Sequence, residues 1–371
     1  MHVPLLRDGH RTAVGGDMTR LAEKRRMQDH FDRFVARVRS QIEERLAVWL
    51  AGRVAEARSR GVDVEAVADA VRQLALRGGK RMRAVLLAAA YEGCGGVGGA
   101  EAVVSAGVAL ELVQAYLLVH DDWMDGDPVR RGGPSVPAMM RQRFPGARAD
   151  AASVLAGDLA AAWAHRALWE VPVPAARLVL AARELARVEE EVVQGQLLDM
   201  GRAAHDAAEV ETMHALKTAS YSVRAPVVMG ARLAGADDSQ VAALEAFANP
   251  LGVAFQLRDD VLGIFGDPGA MGKPAGSDLR AGKRTALVVD AMRDPASIDA
   301  LARVLGRPDA SDDHVRDAVV HIEACGARAQ VEKRIGLLVR ESRAALPHAS
   351  LTAEGQALLE RAVDALAERQ N

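Results

Sequence analysis

Aromatic residues make up only 4% of this chain, so its core has to be built mostly from Ala, Leu and Val. Those residues, with few β-branched runs and few regularly spaced turn clusters, favour a helical protein over a sandwich or barrel. Cysteine is scarce too. Cys94 and Cys325 lie far apart without metal-ligand spacing, which points to a reduced compartment, plain thiols and no disulfide. A charge excess of one sign is missing: 47 Lys and Arg against 50 Asp and Glu leave a net −3. Nothing therefore suggests a nucleic-acid surface or a membrane-steering field, although local basic clusters can still bind anions. The N-terminus MHVPLLRDGHRTAVGGDMTR has no apolar core of signal-peptide length. No run reaches the roughly 18 to 20 apolar residues of a membrane span. These absences predict a soluble, cytoplasmic protein with no nucleic-acid partner.

With 371 residues, half of them hydrophobic, the chain can bury a large core as one big domain or two ordinary ones. Residues 1–26 show no period and read as a mobile arm. From Gln28 a helical pattern begins (Phe31, Phe34, Val35, Val38, Ile42, Leu46, Leu50) and ends near Ser59 to Gly61. A second amphipathic stretch runs from Val64 to Leu76 and stops at Gly78-Gly79. The segment from Ala100 to Met124 is nearly all apolar, so it should form a central helix buried on most sides. Further helices are expected at about 148–169, 174–201, 207–233 and 238–265, with about four more after Thr285. No strand signal and no short-period repeat stands out.

Acidic and basic stretches interrupt this helical background. HDDWMDGDPVRRGGPSV, His120 to Val136, ends an apolar run with Asp121, Asp122 and Asp125, then adds Arg130 and Arg131. On a helix Asp121 and Asp125 stack a turn apart on one face, where two carboxylates can share a cation. FQLRDDVLGIFGDP repeats the theme at Asp259, Asp260 and Asp267. In GGKRMR the glycines permit a tight turn, and Lys80, Arg81 and Arg83 open the next helix against its macrodipole. A bound anion would resolve that conflict, with a solvated basic turn as the plain alternative. Gln114 interrupts the apolar helix close to two turns before Asp121, on the same face and roughly 10 Å down the axis. A buried Gln there must find hydrogen-bond partners. The glycine-rich segment from Gly266 to Lys283 carries Lys273 and Lys283.

Carboxylates grouped at one helix end repel one another, and a hard cation makes such a group stable and useful. Magnesium fits best, because it commonly bridges one or two carboxylates to phosphate oxygens. Arginines and lysines close by would take the remaining oxygens, giving a diphosphate clamp. The plain alternative is a solvated acidic helix end. The acids do not follow EF-hand spacing, neither His120 nor the cysteines complete a zinc set, and the glycines at 95–99 lack a following GK[ST]. His120 is read as a packed or hydrogen-bonded neighbour.

On GGKRMR, DDWMD followed by RRGG, GQLLD at Gly195 to Asp199, Lys217-Thr218, and FQLRDD followed by GKPAGSDLRAGKRT, the sequence resembles the trans-isoprenyl diphosphate synthases. This is the polyprenyl synthetase family, which includes farnesyl and geranylgeranyl diphosphate synthases. The resemblance implies an all-α, single-domain antiparallel helical bundle around a deep central cavity over residues 27–371, with the two aspartate motifs facing across its mouth. It implies head-to-tail (1'-4) condensation of isopentenyl diphosphate with an allylic diphosphate, and an expected homodimer. Carried over by position, Asp121, Asp122 and Asp125 hold two magnesium ions and Asp259 a third, supported by Asp260. Arg130, Lys217, Lys273 and Lys283 grip the allylic diphosphate, while Lys80, Arg83, Gln114 and Arg131 hold isopentenyl diphosphate. Lys217, Thr218 and Gln256 are similar to family residues that lie near the cation or the leaving group.

The second motif of the family often reads DDxxD, whereas this chain has Gly263 at the third position, which puts the third metal site in question. In the family a bulky residue upstream of the first motif floors the cavity; here the candidates are Tyr116 and Leu117. On an ideal helix Tyr116 lies about 7.5 Å below Asp121 but points roughly 140° away, so its selection comes from the resemblance rather than from geometry. An aromatic there, with no insertion inside DDWMD, resembles geranylgeranyl synthases and implies a twenty-carbon product, with a fifteen-carbon one next. Two rivals remain open. A terpene cyclase on the same fold would not need Lys80, Arg83, Gln114 and Arg131 together, and a non-catalytic subunit would be expected to lose aspartates.

Overall fold

The structure, a computed structural model, describes residues 12–201, 206–266 and 276–367, with side chains from residue 25 onward. Its first helix, α1 (Thr12–Arg58), begins well before the expected Gln28. The segment MTRLAEKRRMQ consists largely of strong helix formers, which extend a helix without any apolar period. Residues 1–11 of the expected arm lie outside the described residues. Phe31, Phe34, Val38, Ile42, Leu46 and Leu50 form the buried stripe of α1.

α2 (Val62–Leu76) and α3 (Met82–Gly93) follow, and then α4 (Ala100–Asp125), which is buried along most of its length as its composition demands. By length and hydropathy alone α4 would qualify to cross a membrane, where the sequence was read as having no apolar run of span length. In the fold 78% of its apolar window is buried against other helices, so its apolar surface is used by the core.

Gly126, in the left-handed conformation at φ 70°, ends α4. The chain then makes a small antiparallel hairpin, β1 (Val129–Arg130) and β2 (Gly133–Pro134), where only a loop was expected. Its two turn residues, Arg131 and Gly132, both have positive φ, 52° and 70°, which suits the tight turn of a hairpin. α5 (Val136–Arg143), α6 (Ala147–Trp169) and α7 (Ala175–Gly201) come next, with α6 packed along α4.

The expected helix 207–233 is continuous but not uniform. α8 (Ala207–His214) passes into a π-helix (Ala215–Arg224) and then α9 (Ala225–Ala234). Gly195 on α7 and Gly252 on α10 (Asp238–Phe265) let both neighbouring backbones close on this segment. A Cβ at Gly195 would meet Lys217 Cα at 2.7 Å and Leu216 C at 2.9 Å, and backbone cannot swing aside like a side-chain tip. Gly195→Ala is therefore expected to destabilise the protein by about 1–3 kcal/mol. Thermal unfolding measures this, and an unchanged midpoint would show that the contact relaxes freely.

After the second aspartate stretch come α11 (Ser277–Arg280), α12 (Ala286–Ala291), α13 (Pro295–Leu301), α14 (Asp312–Ala324), α15 (Ala327–Ala345) and α16 (Ala353–Ala367). Five of these follow Thr285, one more than expected, because Asp294 caps a new helix with Pro295 in its first turn. α10 packs between the π-helix and α15.

Candidate active site

The end of α4 divides its aspartates. Asp121 and Asp125 share one face, while Asp122 is fully buried on the other. The hairpin folds Arg130 back onto Asp122, with Nε donating to Oδ1 at 2.6 Å, and Nη2 reaches Asp127 at 3.2 Å and Asp121 at 3.5 Å. Burial pushes the Asp122 carboxyl up to about 6, although the Arg130 hydrogen bond pulls it down. Asp125 is raised as well, by burial and by Asp121, against the pull of Lys283 and Lys217.

Across the cavity stand the π-helix, α7 and α10. Lys217 Nζ lies 2.5 Å from Asp199 Oδ2 and 3.5 Å from Asp121 Oδ1, so one ammonium joins α7 to α4. Burial alone would lower the Lys217 pKa, but Asp121 and Asp199 outweigh it and the net shift is upward. Lys283 behaves alike: burial opposes its charge, and Asp278, Asp121, Asp125 and Asp199 together raise it. On α10, Gln256 donates to Asp260 Oδ1 at 3.1 Å, while the buried Oδ2 makes no hydrogen bond. Its neighbour His214 Nε2 is 3.4 Å away, in an imidazole that burial holds neutral by lowering its pKa to about 4. Burial pushes Asp260 up to about 8.

Two adjoining cavities occupy this region. One, of about 640 Å³, is lined by Asp125, Gln196, Asp199 and Lys283 among others; the second, of about 240 Å³, by Lys217, Thr218, Gln256, Asp259 and Asp260. Both share Asp199, Met213, Lys283 and Arg284. Among the described residues no three His, Cys, Asp or Glu side chains are already gathered as a metal cage. The donor set nevertheless suits a hard cation. Asp122 and Asp260 each keep a buried oxygen without a hydrogen-bond partner, and the ammonium of Lys217 bridges carboxylates on facing helices. The space beside Gly263 is already taken: a Cβ there would meet Asp278 Oδ2 at 2.5 Å, so a carboxylate from α11 stands where the missing third aspartate of the motif would begin.

A separate group of cations lies at the start of α3. Gly78 and Gly79, at φ 75° and 132°, make the turn that precedes Lys80. Arg131 Nη1 donates to Gly78 O at 3.1 Å. Arg83 donates to Ser222 Oγ at 2.7 Å and lies 4.6 Å from the Tyr221 ring centroid. Burial lowers the Arg131 pKa; Glu111 opposes this, and Arg81, Arg83 and Arg130 add to it through repulsion. Gln114 is buried, and its Oε1 has no hydrogen-bond partner. Cations that repel one another in this way would be relieved by a bound anion.

Tyr116 meets His120 edge-on at 5.2 Å and lines a cavity of about 520 Å³ with His165, Glu189 and Val193. Leu117 packs against the core. His120 is the packed neighbour that the sequence suggested, hydrogen-bonded to Val154 O at 3.1 Å. Lys273 lies outside the described residues. Sequence reasoning gave no role to Asp199, Glu111, Tyr221, Ser222 or Asp278. Of these, Asp199 left a signal as the last residue of GQLLD, and Asp278 as a residue of GKPAGSDLRAGKRT.

The polyprenyl synthetase family model matches residues 64–322. The chain is 38% identical over 280 residues to a geranylgeranyl diphosphate synthase of Mycobacterium tuberculosis, covering 73% of this chain and 75% of that one. It is 34% identical over 259 residues to a (2E,6E)-farnesyl diphosphate synthase of Mycobacterium bovis, covering 67% and 68%. Its fold matches the crystal structure of a Corynebacterium glutamicum geranylgeranyl pyrophosphate synthase complexed with isoprenyl diphosphate and magnesium. That match has a TM-score of 0.83 and 32% identity over 91% of this chain and 99% of that one.

Proposed function

The chain belongs to the polyprenyl synthetase family and is a trans-prenyltransferase, and we propose that it joins isopentenyl diphosphate head-to-tail to an allylic diphosphate, giving geranylgeranyl diphosphate. One observation carries this reading: two cation groups stand apart, one between aspartates of facing helices and one at the start of α3. Lys217 and Lys283 sit among aspartates of several elements, whereas Arg83 and Arg131 lie close enough to repel each other, with Glu111 beside them. Two diphosphates, one reaching metal and one not, match that division. Neither a cyclase nor a subunit stripped of aspartates would call for both.

Asp121, Asp125 and Asp259 would hold magnesium, about three ions per site, with Asp122 and Asp260 in support. Bound there, magnesium supplies positive charge to the diphosphate oxygens as the allylic C–O bond breaks. Lys217, Lys283, Lys273 and Arg130 take the remaining charge of the leaving group. Arg130 has five N–H donors, so its bonds to Asp122 and Asp127 leave others available. Lys80, Arg83, Gln114 and Arg131 orient isopentenyl diphosphate, whose double bond attacks the allylic cation. A proton then leaves the new bond region for the released diphosphate. Thr218 and Gln256 turn their dipoles towards the cation, and no protein nucleophile takes part.

Product length follows from how far the growing chain can descend past Tyr116. Tyr116→Ala is expected to shift the product beyond twenty carbons, read by sizing the alcohols after phosphatase treatment; an unchanged distribution would move the gauge elsewhere. The wild-type assay supplies labelled isopentenyl diphosphate with dimethylallyl, geranyl or farnesyl diphosphate. Twenty-carbon product is expected from each, and accumulation of fifteen-carbon product would favour the farnesyl alternative. α6 and α7 expose Leu155, Trp169, Val193 and Leu197, large apolar side chains that a second copy of the chain would cover in the proposed cytoplasmic homodimer.

A further inference from the structure

The segment GGKRMR contributes two exposed or half-exposed cations, but the residue between them behaves differently. Arg81 adopts the left-handed conformation, φ 52° and ψ 29°, at the N-cap of α3. That conformation is strained for a residue with a Cβ and persists only where the surroundings fix it. Its side chain is 1% exposed, whereas Lys80 before it is exposed and Arg83 after it is half-buried. Nη1 pairs with Glu111 on α4, Nη2 donates to Ala75 O at the end of α2 at 2.9 Å, and Nε lies 3.6 Å from Glu43 on α1. One guanidinium thus ties three helices to the turn. Its own carbonyl accepts from Val85 N at 3.1 Å and so starts the hydrogen-bond ladder of α3.

Glu111 is as buried as its partner, at 3%, and sits one helical turn before Gln114. A buried ion pair is a poor source of stability, since apolar residues of similar volume often do as well. A strained backbone at the same residue adds to the cost. Both features make sense if the pair fixes geometry. Taking Lys80, Arg83, Gln114 and Arg131 as the isopentenyl diphosphate site, we propose that Arg81 is a positioning residue of that site and never a ligand, acting through its buried ion pair with Glu111. The pair sets where α3 begins, hence the direction of Arg83 towards Ser222, and it fixes the turn beside Gln114.

The double variant Arg81→Met/Glu111→Leu, in the full chain, separates positioning from stability. Replacing the pair by apolar residues is expected to keep a cooperative thermal transition near that of the parent. The KM for isopentenyl diphosphate should rise by roughly tenfold or more, because small misplacement of binding groups is costly. The KM for the allylic substrate should stay within about twofold, as Lys217 and Lys283 belong to other elements. Should the double variant fail to fold, Glu111→Gln carries the same test, keeping shape and losing charge, with isopentenyl diphosphate binding read by calorimetry. Arg83→Ala separates two kinds of failure. If it leaves the KM for isopentenyl diphosphate unchanged, the site assignment falls and the proposal with it. If Arg83→Ala raises that KM while the folded double variant leaves it alone, or moves both KM values equally, the positioning role is overturned and the site stands.

Discussion

Replacing Asp125 by Ala should lower kcat by about a hundred- to ten-thousand-fold, with little change in thermal stability. Asp125 shares a helix face with Asp121 and lines the larger cavity, so its carboxylate faces the space where a cation would meet a diphosphate. Among the described residues no hydrogen bond ties its carboxylate to the fold. Burial and Asp121 raise its pKa, against the pull of Lys283 and Lys217. Its neighbour gives the contrast. Asp122 is fully buried against Arg130, and its removal takes away that arginine's nearest carboxylate, leaving Asp127 and Asp121. Asp122→Ala should therefore cost about 1.5–3 kcal/mol of stability as well as activity. Titrating magnesium against rate in both variants, beside their unfolding curves, separates the two. Normal turnover by a folded Asp125→Ala enzyme would remove the metal clamp from the account.

Lys217→Ala should reduce kcat by about a hundred- to a thousand-fold, the scale of losing one donor aimed at developing charge. The ammonium is fixed before any substrate arrives, between Asp199 and Asp121, on a π-helix that two glycines allow its neighbours to approach. Preorganisation of this kind is what makes a single charge worth several kcal/mol in a water-poor site. Lys217→Arg keeps the charge but needs more room against Asp199, so it should recover only part of the rate. Steady-state kinetics with the allylic substrate varied would show the loss. An alanine variant with parental kcat would mean that Lys217 serves only as the link between α4 and α7.

The helical frame was legible because its signals are local. α4, α6, α7 and α10 could be bounded within a few residues from apolar runs and flanking Gly and Pro, since each begins or ends at such punctuation. The π-helix was not, because Gly195 and Gly252 permit it from other helices, far away in sequence. The same limit governs the site. Asp121 and Asp125 announce themselves by spacing, but nothing in the string says that Asp122 turns inward to Arg130 or that Asp278 fills the place beside Gly263. Arg81 is the sharpest case. In sequence it looks like one more basic residue of an anion-binding turn; in the fold its charge is consumed by Glu111.

The division of labour between acids and bases is tested most directly by equilibrium binding with and without magnesium. Calorimetry would titrate a non-ionising thiolo analogue of farnesyl diphosphate, and separately isopentenyl diphosphate, into the parent protein in magnesium buffer and in EDTA. Without a cation the analogue must bring its negative charge among Asp121, Asp125, Asp199 and Asp259, so its affinity should fall by about a hundredfold or more. Isopentenyl diphosphate, held by Lys80, Arg83 and Arg131, should bind nearly as well in either buffer. Equal affinity of the allylic analogue in magnesium and in EDTA would contradict the account.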